Sequence, residues 1–287
     1  MDLKDFEYYK DVLARRSGLV INPDKIYLLE SRLNPVARKW GYSDVLAMTR
    51  DLRQNNNEEM IVDIVEAMTT NETSFFRDLK PFQIMEEKVL PEMLEKRKHK
   101  KKLRIWCAAC SSGQEPYSLA MTILETGYKF SDWNIEIIAT DISRQILAQA
   151  ERGVFSQFEV QRGLPVNYLM KYFEKDDERW KIKNDVKNMV EFKFLNLLEP
   201  VTGIGQFDIV FCRNVLIYFN DETKKQVLDR ISGALVDDGY LFLGGAETVL
   251  GITDNFKLHP GKRGLYVKNA SCSASSAGKL ERQAKQR

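Results

Sequence analysis

Cysteine and histidine are scarce: four and two in 287 residues. A tetrahedral zinc site needs four nitrogen or sulfur ligands at short, paired spacings. Only Cys107 and Cys110 form a CxxC; Cys212 and Cys272 stand alone, and His99 and His259 lie in unrelated contexts. The pair reads as two small packing residues at a strand end rather than as half of a zinc or redox site, so no metal is expected. Net charge is scarce as well, with 43 basic residues against 41 acidic. That leaves no basic footprint for nucleic acid or an anionic membrane. No apolar run is long enough to span a bilayer, and the opening MDLKDFEYYK lacks the pattern of a signal peptide. A cytoplasmic protein is expected, with no membrane insertion.

What is present falls into two patterns. From about Leu3 to Met68, apolar residues recur at helical spacing: Phe6, Tyr9 and Leu13, then Ile26, Leu29, Leu33 and Trp40, then Ile61, Ile64, Val65 and Met68. Gly18, Asn22-Pro23 and Gly41 punctuate these runs, with Asp24 or Ser43 as candidate caps. A small helical domain over 1–70 is expected. Its basic residues (Arg15, Arg16, Lys25, Arg32, Arg38, Lys39, Arg50 and Arg53) suit either a solvated surface or a docking face for an acidic partner. The run EKRKHKKK, Glu95 to Lys102, reads as a solvated loop or helix end.

Beyond it, short apolar strands alternate with helices. Strands are expected at Leu103–Ala109, Ile135–Ile142, Val190–Leu197, Phe207–Arg213 and Tyr240–Gly245, which argues for a parallel sheet covered on both faces. The piece around Asn167 to Lys187 breaks this rhythm and reads as a small excursion from the sheet. The Ser/Ala-rich tail over 269–287 is expected to be disordered. Between the two patterns lies TTNETSFFRD, Thr69 to Asp78, with more hydrogen-bonding groups than a core element needs and two phenylalanines that a linker does not.

In a doubly wound sheet, ligands bind beyond the C-terminal ends of the strands. After the first strand comes CAACSSGQEPYS, where small residues and Gly113 allow close backbone approach and the next helix offers free N–H groups. This loop has one glycine where a dinucleotide fingerprint has three. Asp141 ends the second strand, placed either to accept both hydroxyls of a ribose or to cap the next helix, a role open to Ser143 as well. Asn196 ends the third, with an amide suited to an adenine edge. Arg213 and Asn214 end the fourth, where a buried guanidinium requires a partner. A ribose acceptor and an adenine-sized site without a phosphate loop point to S-adenosylmethionine.

The ordered set NETSFFRD, AACSSGQEPYSLAM, TDIS, NLL and FCRNVLIYF resembles the CheR family, bacterial chemotaxis receptor glutamate O-methyltransferases, from about Leu3 to Lys268. GQEPYS and FCRNVLIYF are specific to that family; TDIS is not. The resemblance implies an α/β fold: a small all-α domain (1–70), an interdomain segment (71–102), and a Rossmann-like class I S-adenosylmethionine methyltransferase domain (103–268). The last carries a small antiparallel β-subdomain around 154–190. It implies that Asn71, Thr73 and Arg77 close over the cofactor and that Glu115 meets the methionine ammonium. Asp141 would take the ribose, Asn196 and Leu197 the adenine, and Arg213 and Asn214 further cofactor contacts, with Tyr218 near the reacting methyl. Arg77 and Tyr218 would be the catalytic residues, and S-adenosylhomocysteine the product.

The implied partner is the cytoplasmic helical region of chemoreceptors, docked by the helical domain through residues drawn from Arg32, Arg38, Arg50 and Arg53; a monomer is expected. Two features depart from the family. Gln114 stands where Glu is frequent, and Cys107 and Cys110 where small nonpolar residues or Ser are usual, which exposes the site to oxidation at Cys110. YFEKDDERWKIKNDV lacks the glycine loop with which some members hold a receptor C-terminal pentapeptide, so that tether is not expected. The rival readings are a methyltransferase for another signalling protein and a non-catalytic S-adenosylmethionine-binding scaffold.

Overall fold

Three of the first four helices begin at an acid or amide whose side chain accepts a backbone N–H that the helix leaves free. In the computed structural model, which describes residues 1–269, Asp2 caps α1 (Leu3–Ser17), Asp44 caps α3 (Val45–Asn55) and Asn57 caps α4 (Glu58–Met68). Neither expected cap serves: Asp24 lies inside a 3-10 turn preceding α2 (Ile26–Lys39), and Ser43 yields to its neighbour Asp44. The apolar faces of the four helices, including Phe6, Leu13, Leu33, Met48 and Ile64, meet in a core of their own.

The seam segment then leads into α5 (Lys80–Ile84), a π-helical turn and α6 (Leu90–Arg97). The seven-stranded sheet starts at β1 (Lys102–Ala108), followed by α7 (Gln114–Glu125), β2 (Asn134–Asp141) and α8 (Arg144–Arg152). The excursion follows as β3 (Val154–Ser156), α9 (Gln157–Gln161), α10 (Val166–Tyr172), β4 (Phe173–Asp176), β5 (Arg179–Ile182) and α11 (Asn184–Lys187). Its three strands form a separate antiparallel sheet in the order β3-β5-β4. The chain returns through β6 (Val190–Phe194), β7 (Phe207–Cys212), α12 (Asp221–Ala234), β8 (Leu235–Leu243), β9 (Phe256–Leu258) and β10 (Leu265–Lys268).

The large sheet has the order β6-β2-β1-β7-β8-β10-β9. Its five leading strands are parallel, but β10 pairs antiparallel with both β8 and β9, so the sheet is mixed rather than purely parallel. Alternate strand residues serve two cores, as the pleat requires. Ile105, Cys107, Ile209, Phe211 and Phe242 face α5–α7, whereas Trp106, Val210, Cys212 and Leu241 face α12. Strand order reverses between β1 and β7, which places a crevice beyond their C-terminal ends.

The basic run ends α6 and continues as an exposed turn toward β1, as expected, except at one residue. Arg97 is largely buried and clamps the sheet, its Nε 2.7 Å from Asp208 and its two Nη atoms on the Asp238 carboxylate. Among the described residues no helix is long and apolar enough to cross a membrane. Apart from Asn269, the expected disordered tail and Cys272 lie outside the described residues.

Candidate active site

The seam is fixed before the site is built. Phe75 is fully buried, edge-on to Phe155 and Phe173 at 5.0 and 5.6 Å; Phe76 meets Phe82 and Tyr168 at 5.1 and 5.3 Å. The Phe76 N–H donates to Ser118 on α7, and Ser111 donates to the Asn71 carbonyl at 2.8 Å. Phe76, Asp78 and Leu79 all take positive φ, a conformation costing a non-glycine residue about 1 kcal/mol or more and kept only where packing enforces it. The two phenylalanines thus hold a strained turn that carries Arg77.

One cavity lies against this turn, in the crevice at the β1/β7 reversal. Asn71, Thr73 and Arg77 line it from the seam, Cys110, Ser111 and Glu115 from the β1–α7 connection, and Asp141 and Ile142 from the end of β2. Leu195, Asn196 and Leu197 follow β6 along its wall; Arg213, Asn214 and Tyr218 follow β7; and Ser17, Leu19 and Val65 come from the helical domain. All ten expected cofactor and catalytic residues therefore border one space.

Buried charge dominates its floor. Arg213 gives Nη1 to Glu115 at 2.6 Å and Nη2 to both Asp78 (2.7 Å) and the Arg77 carbonyl (3.0 Å). Its Nε is buried without a partner among the described residues. Glu115 Oε1 accepts no hydrogen bond among those residues. Burial raises the Glu115 pKa, opposed by attraction to Arg213. Asp141 accepts the N–H groups of Ser111 (2.9 Å) and Ser143 (3.0 Å); burial nonetheless raises its pKa against those bonds. The cap of α8 is Ser143, so Asp141 does not serve as the helix cap.

Several placements differ from the sequence reading. β6 ends at Phe194, so Asn196 lies in the following turn, where it accepts Leu198 N–H and donates to the Arg16 carbonyl. It joins the helical domain to the wall, and Leu197 presents the apolar surface. Arg77 donates to the Glu72 carbonyl at 2.8 Å. Burial and the nearby Asp141 and Glu115 charges push the Cys110 thiol well up, so it is not the low-pKa, exposed thiolate that oxidises readily.

Of the four docking candidates, Arg32 turns inward to the Met68 and Thr69 carbonyls at the end of α4. Arg53 is engaged by Asp5 and the Lys4 carbonyl. Arg38, Arg50 and Arg53 are all exposed, Arg53 despite its ion pair.

Three carboxylates escaped the sequence reading: Asp78 on Arg213, Glu66 on the start of α8, and Glu247 behind the β7 turn. For Glu247 a signal existed, a lone charge among the small and apolar residues of GGAETVL, which like Arg213 requires a partner when buried.

The residues fit S-adenosylmethionine: a largely buried carboxylate with a free oxygen for an ammonium, a second for a diol, and apolar Ile142, Leu195 and Leu197 for a base. With a doubly wound sheet, these features define a class I S-adenosylmethionine-dependent methyltransferase.

The comparisons narrow the class. Residues 71–265 match the model described as "CheR methyltransferase, SAM binding domain", and residues 4–69 the model "CheR methyltransferase, all-alpha domain". Chemotaxis protein methyltransferase 1 of Pseudomonas aeruginosa is 42% identical over 260 residues, covering 88% of this chain and 93% of that protein. The chemotaxis protein methyltransferase of Vibrio parahaemolyticus is 40% identical over 271 residues, covering 93% and 98%. The chain belongs to the CheR methyltransferase family.

Proposed function

We propose that the chain transfers the methyl group of S-adenosylmethionine to glutamate side chains of chemoreceptors, forming methyl esters for sensory adaptation. The observation that carries this reading is the convergence of Glu115, Asp141, Arg77 and Tyr218 on one interdomain cavity in a member of this family. When bound, S-adenosylmethionine supplies an electrophilic methyl group. Glu115 holds its ammonium and Asp141 its ribose, while Asn71, Thr73, Leu197, Arg213 and Asn214 enclose the rest; Asn196 braces the adenine wall. A glutamate substrate is already ionised near neutral pH, so no strong general base is needed and catalysis is mostly alignment. Arg77 orients the substrate carboxylate with the donors that the Glu72 carbonyl leaves free. Tyr218 hydrogen-bonds the same group or shapes the methyl channel.

The chain works in the cytoplasm as a monomer, on the helical region of the receptor. Arg38 and Arg50 are the arginines left to meet its acidic face, so receptor methylation falls at high salt while cofactor affinity holds. The β4–β5 hairpin turns in two residues, Asp177 and Glu178, with no glycine loop to seat a receptor tail. Calorimetry with a receptor C-terminal pentapeptide is expected to show no tight binding.

The test is incubation with methyl-labelled cofactor and a receptor cytoplasmic fragment. Base-labile label on glutamate is expected. Bound cofactor without label would favour the scaffold reading. Arg77→Ala abolishes methylation with modest loss of cofactor affinity; full activity in that variant would remove Arg77 from the mechanism.

A further inference from the structure

A buried carboxylate lies behind the cavity wall without bordering it. Glu247, 8% exposed, accepts four main-chain N–H groups. Its Oε2 takes those of Gly244 and Asn214 at 2.7 and 2.8 Å, and its Oε1 those of Val215 and Ile217 at 2.9 and 3.3 Å. Three of the four belong to the turn after β7, which carries Arg213, Asn214 and Tyr218 to the cavity. That turn depends on Asn214, whose φ of 59° is left-handed. Reversal there points successive N–H groups at one spot and makes the kind of concavity that holds an anion. The anion is the protein's own Glu247. Gly244 leaves room for it, since a Cβ there would stand 2.7 Å from Glu247 Oε2 and 3.0 Å from Asn214 N.

We propose that Glu247 is a positioning residue for methyl transfer, holding the 213–217 turn so that Asn214 and Tyr218 face the cavity. Side-chain packing holds this turn at Arg213 and Leu216, 5% and 2% exposed, but leaves the rest loose: Asn214, Val215 and Tyr218 are half-buried and Ile217 is exposed. Without the carboxylate, four N–H groups lose their acceptor and a left-handed residue loses its restraint.

Glu247→Gln tests this at constant volume, because its amide presents an NH2 group to two N–H donors. Amide hydrogen exchange at residues 214–217 is expected to accelerate at least about tenfold while β1 and β7 keep their protection. Affinity for S-adenosylhomocysteine is expected to fall in calorimetry, and kcat by about 100-fold, the scale of an ångström's misplacement. Adding Tyr218→Phe then costs nothing further, because the tyrosine is already out of place; a general loss of stability would make the two changes additive.

Gly244→Ala displaces the carboxylate without removing it and reproduces the same pattern, so it carries the test should Glu247→Gln fail to fold. Parent-like exchange and affinity in a folded variant, or additive effects with Tyr218→Phe, would overturn the proposal. It rests on the methyltransferase reading only for kcat and the additivity arm. Should the unsubstituted protein methylate nothing, that reading fails, and exchange and S-adenosylhomocysteine affinity still decide the role of Glu247.

Discussion

The proposed contact of Glu115 with the cofactor ammonium would couple binding to pH. Burial raises its pKa in the empty site, and the Arg213 guanidinium only partly restores the charged form. A cofactor ammonium needs the ionised carboxylate, so binding draws the proton off any protonated fraction. Affinity for S-adenosylmethionine is therefore present above the raised pKa and lost as pH falls through it. The loss begins at higher pH than the ordinary glutamate value of about 4.3 would give. Titration calorimetry at a series of pH values checks this, and Glu115→Gln is expected to bind more weakly with that dependence removed. The stability of the empty protein moves the other way. Glu115 and Asp141 both have raised folded pKa values, so their contribution is present below the unfolded values and is lost as pH rises through the folded ones. The place of Asp141 at the cavity was legible in the sequence because it ends a strand where a ribose demands an acid; Glu115 was singled out only through the family resemblance. Asp78 was not, since its partner Arg213 lies 135 residues away. The role of Asn196 was blurred by a strand that stops three residues earlier than its apolar pattern, after which Leu195 and Leu197 face the cavity instead of a neighbouring strand.

At the scale of elements, the seam and the antiparallel excursion depend on one close approach. Gly163 follows α9 with φ 85°, and a Cβ there would stand 2.1 Å from the Phe75 carbonyl oxygen. No backbone tolerates that contact, so Gly163→Ala must move either the subdomain or the seam. The expected cost is about 1–3 kcal/mol, from overpacking and a left-handed non-glycine residue together. Urea unfolding measures it. Because Phe75 anchors the turn that carries Arg77, cofactor affinity is expected to fall in the same variant, and an unchanged affinity would mean that the turn holds itself. Such a contact leaves no trace in local pattern: Gly163 looks like any loop glycine, and the carbonyl it meets is 88 residues earlier. The alternation of strands and helices was legible because the central parallel strands are short, mostly apolar runs. The antiparallel β9 and β10, three and four residues long with exposed or half-buried positions, lacked that signature. Arg97 misled for the opposite reason: it lies in a run of like charges, yet Asp208 and Asp238 draw it down onto the sheet.

At the scale of the molecule, the cavity is shared between the helical domain and the sheet, and one residue spans the two on its rim. Glu66, near the end of α4, accepts Arg144 N–H at 2.8 Å and the Ser143 hydroxyl at 3.1 Å, with Gln145 N–H at 3.4 Å. Its carboxylate thus sits on the positive end of α8, an arrangement worth about 0.3–1 kcal/mol at an exposed terminus. Its neighbour Val65 and residues Asp141 and Ile142 line the cavity on either side of this contact. A ligand leaving between the domains must separate those walls, and separating them breaks the Glu66 contacts. Glu66→Ala is therefore expected to raise the dissociation rate of S-adenosylhomocysteine several-fold while the association rate changes little. The helical domain still closes over the ligand through the Val20–Tyr218 and Asn196–Arg16 hydrogen bonds. Stopped-flow displacement separates the two rates, and high salt, which screens a helix-end charge, should narrow the difference between variant and parent. An unchanged dissociation rate in the variant would mean that the ligand leaves by another opening and that the interdomain contact serves stability alone.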